Sequence, residues 1–299
     1  SAAHKDLYRR DGKIDPQLSL NGPLAAAIPG LPAALVKLAK DYGKLPLSLS
    51  LSPAIRLAED GFSVDPIYQE RASWRLAALR DDPQSAHIFL DEGEIPEEFS
   101  VIHQPHLGKT LRLIAKHGHD GFYRGELAEK LVLGVSKAGG IWSLRDLADY
   151  QVVERAPLRF KLADGRELIS APPPSAGGIA IAQSLAMLQQ LPWQNVEPVQ
   201  RSHYVVEALR RAYRDRGLLG DPDFVKNPVQ QLLAPEYMKL LGQSIEAKNA
   251  TPSSSLTPSP NWKEGNHTTH FSVIDAEGNA VAATLSINFP FGAAFTVPG

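Results

Sequence analysis

The sequence predicts a mixed α/β fold, helix-rich over roughly its first 150 residues and hairpin-bearing after that. Apolar residues recur at helical spacing in the first part. Short runs of alternating apolar and polar residues appear near 157–171 and again in the last forty positions. In "LPAALVKLAKDYGK" the apolar stripe is Leu31, Ala34, Leu35, Leu38 and Ala39, with Gly43 as the stop. "SPAIRLAEDGF" places Pro53 near a helix start and Gly61 past its end. "DPIYQERASWRLAALRDD" offers Asp65 as N-cap and Pro66 at the first helical position.

"APLRFKLADGRELISA" reads as a hairpin turning at Asp164 and Gly165. "PPPSAGG" reads as a rigid strand-to-helix connector, and helices follow in "IAIAQSLAMLQQL", "QRSHYVVEALRRAYRDR" and "PEYMKLLGQSIEAK". The polar stretch "RRAYRDRGLLGDPDF" reads as a solvated helix face and capping turn. "TPSSSLTPSP", residues 251–260, reads as an exposed or mobile connector. No repeat of solenoid length is present.

At 299 residues and 43% hydrophobic composition the chain is long enough to bury a sizeable core. A net charge of -2 gives no electrostatic footprint for nucleic acid or an anionic membrane, and points to a ligand that is small or neutral overall. The absence of cysteine excludes disulfides, thiolate metal sites and a cysteine nucleophile. No run approaches the roughly 18 apolar residues of a membrane span. The opening "SAAHKDLYRR" is unlike a signal peptide, so a start at Ser1 suggests a mature or trimmed form, or a fragment.

Several motifs are set aside. "HLGKT" ends like a phosphate-binding loop but has His103 where that loop needs glycine. His103, His106, His117 and His119 have no metal-site spacing and read as solvated loop residues. The glycosylation patterns at Asn249 and Asn266 inform only in a eukaryotic secreted protein.

The final hairpin is more informative. "TTHFSVID" and "AVAATLSINF" are strand-like; in the second, Val281, Ala283, Leu285, Ile287 and Phe289 share one face, and Ala282, Thr284, Ser286 and Asn288 the other. A loop of Ala276, Glu277 and Gly278 pairs Asp275 with Asn279, which sets His270 opposite Thr284 and Thr268 opposite Ser286. A shorter loop would set Thr268 opposite Ile287, mixing the faces. A threonine hydroxyl needs an adjacent base to become a nucleophile, and one solution is to make the threonine N-terminal so that its own amine takes the proton. Its pKa of roughly 7.7–8.0 suits that task. In mid-chain this requires cleavage of the preceding peptide bond.

"TTHFSVIDAEGNAVAATLSIN" with the following "FG" closely resembles the start of the small subunit of the gamma-glutamyltranspeptidases. "GPLAAAIPGLPAAL", "PAIRLAEDGF", "GFYRGELAEKLV", "GGIWSLRDLADYQV", "APPPSAGGIA" and "HYVVEALRRAYRDRGLLGDPDFV" resemble large-subunit blocks in the same order. The resemblance implies a four-layer αββα N-terminal-nucleophile hydrolase sandwich in one structural domain. Residues 1–267 are then the large-subunit region and 268–299 the start of the small subunit.

It also implies that Thr268 is the catalytic nucleophile and that the His267–Thr268 bond is the autocleavage site. Ser286 stands where the family usually has a threonine contacting the nucleophile, and Asn288 matches an asparagine that holds the α-carboxylate or α-amino group of the donor. The implied reaction transfers or hydrolyses the γ-glutamyl group of glutathione and related compounds, with amino-acid acceptors, through a threonine ester and without cofactor or metal. The implied location is periplasmic or secreted, and the implied partner chains are the two halves of one precursor. The family's donor-carboxylate arginine would precede this chain; its acidic amine ligand, serine pair and Gly-Gly oxyanion hole would follow Gly299. The expectation is therefore a fragment of a longer chain or a defective relative. Loss of one oxyanion donor alone costs about 3–4 kcal/mol. The alternatives are a cephalosporin or glutaryl acylase of the same kinship and an inactive fragment.

Overall fold

The computed structural model describes residues 2–256 and 268–298. In chain order the elements are β1 (Arg9–Arg10), β2 (Lys13–Ile14), α1 (Leu31–Asp41), α2 (Leu47–Asp60), β3 (Phe62–Ser63), α3 (Pro66–Asp81), α4 (Pro83–Phe89), β4 (Val101–Ile102) and α5 (Pro105–His117). Next come α6 (Asp120–Tyr123), α7 (Gly125–Lys137), α8 (Leu144–Ala148), β5 (Leu158–Lys161), β6 (Glu167–Ser170), α9 (Gly177–Leu188) and α10 (Pro198–Arg216). The last are α11 (Val229–Leu232), α12 (Pro235–Gln243), β7 (Thr269–Ile274) and β8 (Ala280–Leu285). Consecutive strands pair into two-stranded antiparallel ribbons: β1 with β2, β3 with β4, β5 with β6 and β7 with β8.

Local signals explain most boundaries. The Asp65 carboxylate accepts the Tyr68 N–H at 2.7 Å and Pro66 opens α3, as the residue types dictate. The expected start at Pro53 is corrected: α2 begins at Leu47 and carries Pro53 in its interior. The preceding Leu-Ser alternation has a strand-like period that hides a helix, and Pro53 removes a hydrogen bond to Leu49, on an exposed turn. "HLGKT" lies within α5, and a Cβ at Gly108 would meet Glu59 Cγ at 2.5 Å, so this glycine lets α5 approach α2. Of the four histidines set aside above, His103, His106 and His117 are exposed, whereas His119 is half-buried and stacks on Tyr123 with ring centroids 4.4 Å apart.

The chain divides into two compact units, Ser1–Val152 with Gly265–Gly299, and Val153–Glu264. In the first, Ala33, Ile114, Phe122, Tyr123, Leu127, Ala128 and Leu147 form a buried cluster. The Tyr123 hydroxyl donates to the Pro29 carbonyl and accepts the Ala33 N–H, and burial pushes this phenol up to about 12. A second cluster, Leu79, Leu90 and Ala294 with Phe89 and Phe291, packs the C-terminal segment against α3 and α4.

In the second unit, α9, α10 and α12 close over Met187, Leu188, Tyr204, Ala208, Ala212 and Leu241. The β5–β6 hairpin turns through Ala163, Asp164 and Gly165, closed by Leu162 N–H to the Arg166 carbonyl at 2.8 Å.

The helix face expected to be solvated is instead a buried ionic stripe, because its charges satisfy one another. Glu207, Arg211 and Asp215, spaced four apart on α10, are only 1–2% exposed. Arg211 Nη1 donates to Glu207 Oε2 at 2.7 Å, and Nη2 reaches the Ser244 carbonyl at 2.7 Å and Thr251 Oγ1 at 3.0 Å. Asp215 accepts from Gln183 Nε2, Tyr237 Oη and Arg214. Arg210 Nη2 holds Ser253 Oγ at 3.0 Å, so the connector starts at anchored residues; its positions 257–260 lie outside the described residues.

Burial pushes the Glu207 carboxyl up, but hydrogen bonds from Thr251, Arg211 and Arg210 outweigh it and hold the group at about 2, against 4.5 ordinarily. A folded-state pKa below the unfolded one gives stability that is complete above about 4.5 and is lost as pH falls toward about 2. The shift corresponds to roughly 3 kcal/mol. Glu207→Gln should therefore lower the melting temperature markedly at pH 6–7, with the gap to wild type closing as the pH approaches about 2. A gap independent of pH would show that Glu207 contributes packing and not charge.

Candidate active site

The β7–β8 hairpin is built around its loop. The Asp275 N–H donates to the Asn279 carbonyl at 3.0 Å, Gly278 takes the left-handed conformation at φ 85°, and Ala276, Glu277 and Gly278 make the turn. The Asp275 carboxylate accepts both the Asn279 N–H and its Nδ2 at 2.7 Å, and these bonds from Asn279 lower its pKa. Register then runs from Ile274↔Ala280 through His270↔Thr284 to Thr269↔Leu285. One step further, Thr268 Oγ1 donates to Ser286 Oγ at 3.3 Å. The structure thus brings Thr268 and Ser286 together as the loop length requires.

On the same face, His270 Nδ1 lies 2.8 Å from Thr284 Oγ1 and Nε2 lies 3.2 Å from Ser272 Oγ. This polar row continues the line of Thr268 along the ribbon. The pairing of His270 with Thr284 was legible in the sequence; the closing contact to Ser272 was not drawn from it, although period-two spacing puts 268, 270 and 272 on one face.

Every residue of β7 is exposed, with Val273 57% and Ile274 75% accessible. The ribbon has no third strand among the described residues, and on its apolar face Phe271, Val273 and Val281 are exposed while Ala283 and Leu285 are half-buried. Asn288 was expected two residues further along the same strand face. Instead β8 ends at Leu285, and Asn288 sits at φ 68° in a turn closed by Phe289 N–H to the Ile287 carbonyl at 2.9 Å. Its own N–H donates to Ser286 Oγ at 3.3 Å. Ser286 Oγ therefore accepts from both Thr268 and Asn288, and it gathers all three residues by a different route from the one foreseen. His267 lies outside the described residues.

Chemically, the arrangement aims a hydroxyl without activating it. A serine hydroxyl cannot take the Thr268 proton at neutral pH, and a nitrogen held in a peptide bond is no base. A free α-amine on Thr268 would supply one within the same residue.

Among the described residues no helix is long and apolar enough to cross a membrane. A family model described as gamma-glutamyltranspeptidase matches residues 1–299. The glutathione hydrolase proenzyme of Pseudomonas sp. (strain A14) is 36% identical over 98% of this chain and 52% of its own length. The chain spans about half the length of the curated relatives it matches.

The crystal structure of Helicobacter pylori gamma-glutamyltranspeptidase superposes with a TM-score of 0.81 at 33% identity, covering 89% of this chain and 78% of that one. Cephalosporin acylase from Bacillus halodurans gives 0.79 at 28% identity, covering 93% and 51%. The fold class is that of these neighbours, the αββα N-terminal-nucleophile hydrolases, and among the described residues this chain carries helices and two-stranded ribbons. Family match, fold and the order of the sequence blocks agree: the chain belongs to the gamma-glutamyltranspeptidase family.

Proposed function

We propose that the full-length protein is a gamma-glutamyl transferase and glutathione hydrolase, generated from a proenzyme by cleavage between His267 and Thr268. The observation that carries this is the Thr268 hydroxyl held 3.3 Å from Ser286 Oγ at the head of the hairpin. Names among the relatives support it, since several are glutathione hydrolase proenzymes at 36–38% identity. The cephalosporin acylase alternative has less support, at 28% identity for the acylase structure against 33% for the transpeptidase.

In the proposed mechanism, cleavage frees the Thr268 amine, which takes the Oγ1 proton as Oγ1 attacks the γ-amide carbonyl of the donor. The carbon–nitrogen bond breaks, the ammonium returns its proton to the leaving amine, and a γ-glutamyl ester remains on Thr268. Water then gives glutamate, or an amino-acid amine gives a new γ-glutamyl amide. Ser286 orients the attacking oxygen. The Asn288 side-chain amide, donor and acceptor at once, is assigned to the α-carboxylate or α-amino group of the donor. The two chains of one precursor would remain partners. We further place the protein in the periplasm or outside the cell, so recovery in the cytosolic fraction would count against that assignment.

Denaturing electrophoresis of the full-length protein should show two chains, with Thr268 first in the smaller one. Thr268→Ala should leave a single band. An intact wild-type chain, or a different first residue, would refute self-processing.

With a γ-glutamyl anilide as donor, processed wild type should release the aniline and Thr268→Ala should not. Ser286→Ala should lower kcat by about ten- to a hundredfold through misorientation of the nucleophile. Because the base is an α-amine, kcat/KM should rise with pH through a limb near 7–8. Equal turnover by wild type and Thr268→Ala would sink the mechanism.

A further inference from the structure

The segment after Ser286 is held in backbone conformations that its residues do not favour. Asn288 has φ 68°, Phe291 59° and Ala294 47°, all in the left-handed region that non-glycine side chains resist. The turn on Asn288 is closed two residues apart at positive φ, the rare and strained form of the γ-turn. Such geometry persists only where surrounding groups over-determine it.

Those groups can be named. Arg75, on α3, donates from Nη2 to the Gly292 carbonyl at 3.0 Å and to Asn21 Oδ1 at 2.7 Å. Its guanidinium carbon lies 5.5 Å from the centre of the Phe289 ring. Asn21 is itself oriented, because its Nδ2 donates to Gln17 Oε1 at 2.9 Å. The next residue, Gly22, donates its N–H to the Ala293 carbonyl at 2.8 Å. Phe291 packs edge-on against Tyr68 and Phe89, with centroids 5.5 and 5.2 Å away. Arg75 forms no ion pair among the described residues, and its Nε is buried without a hydrogen-bond partner. A half-buried cation with no acidic partner is a poor way to gain stability alone. It is a sound way to fix a carbonyl and an aromatic ring in one place.

We propose that Arg75, oriented by Asn21, is a positioning residue that holds the Phe289–Gly292 stretch so that Asn288 faces the donor in the geometry its contact requires. This rests on the reading of Asn288 as a donor-binding residue. Arg75 donates to Asn21 and Gly292, whereas the Thr268 hydroxyl is held by Ser286, so the effect of Arg75 should fall on substrate binding more than on the chemical step.

The test uses the full-length processed protein, γ-glutamyl anilide as donor, and active sites counted as small chains beginning at Thr268. Arg75→Met should raise KM about tenfold with kcat per active site within about threefold, and Arg75→Lys should recover part of the loss. Asn21→Ala, which removes an acceptor of Arg75 and leaves Arg75 in place, should raise KM about threefold. Asn288→Ala provides the reference, with KM raised at least as far. If wild type turns over and Asn288→Ala raises KM while the Arg75 and Asn21 variants keep the wild-type KM, this inference is overturned and the proposed function stands. A lowered melting temperature with unchanged KM would overturn it equally, as would an Asn288→Ala enzyme with wild-type KM. Failure of wild type to turn over the donor sinks the function itself.

Discussion

Two hydroxyls eighteen residues apart meet because the loop between their strands has three residues. Ala276, Glu277 and Gly278 pair Asp275 with Asn279, and every later pair along the ribbon inherits that offset, down to Thr268 beside Ser286. Side chains alternate faces with period two, so a slip of one residue would place the Thr268 hydroxyl over Ile287 and turn the polar row of His270, Thr284 and Ser272 into a mixed surface. Gly278 takes φ 85° at little cost, and the two bonds from Asn279 to the Asp275 carboxylate brace the turn. The same Ala-acid-Gly loop closes β5–β6. Placement of the candidate nucleophile is thus a local matter, decided within about twenty residues and needing no distant contact.

Asn288 depends on the opposite kind of constraint. It lies just past the end of β8, where the ladder no longer dictates direction, and its turn is one that local preferences oppose. What fixes it comes from far along the chain: Asn21 and Gly22, Arg75 on α3, and the rings of Tyr68 and Phe89. Asp82 and Ser85 extend the clasp to Thr296, by hydrogen bonds of 3.1 and 2.8 Å. The candidate site therefore joins a locally encoded half to a half that exists only once the first compact unit has packed.

This division explains which features were legible in the sequence. The cap at Asp65, the two Gly-ended hairpin loops and the Thr268 register each rest on short-range rules, and each is present where those rules place it. The interior proline of α2 escaped because Leu and Ser alternate before it with the period of a strand. The stripe of Glu207, Arg211 and Asp215 escaped for a subtler reason. A polar residue type signals solvent unless its partners are known, and these partners, Ser244, Thr251, Gln183 and Tyr237, lie 22 to 40 positions away. Arg75 was invisible on the same grounds, since an arginine on a helix that carries Arg71 and Arg80 has nothing in its sequence context to set it apart.

The geometry at Thr268 also bears on timing. Under the proposed mechanism the precursor and the mature enzyme share one hydroxyl, one neighbour at Ser286 and one register; what changes is the nitrogen of Thr268. As an amide it has no basicity near neutral pH, and as an α-amine it titrates at roughly 7.7–8.0, well matched to proton transfer under working conditions. A single bond cleavage therefore supplies the base in the one position from which it cannot diffuse, adjacent to the oxygen it must deprotonate. The hydroxyl contact at 3.3 Å needs no rearrangement for this to happen, because Ser286 accepts from Thr268 and orients the oxygen without competing for the proton. Toward the donor, a site so arranged is silent as a precursor because it lacks this base, with no inhibitory segment required to cover it.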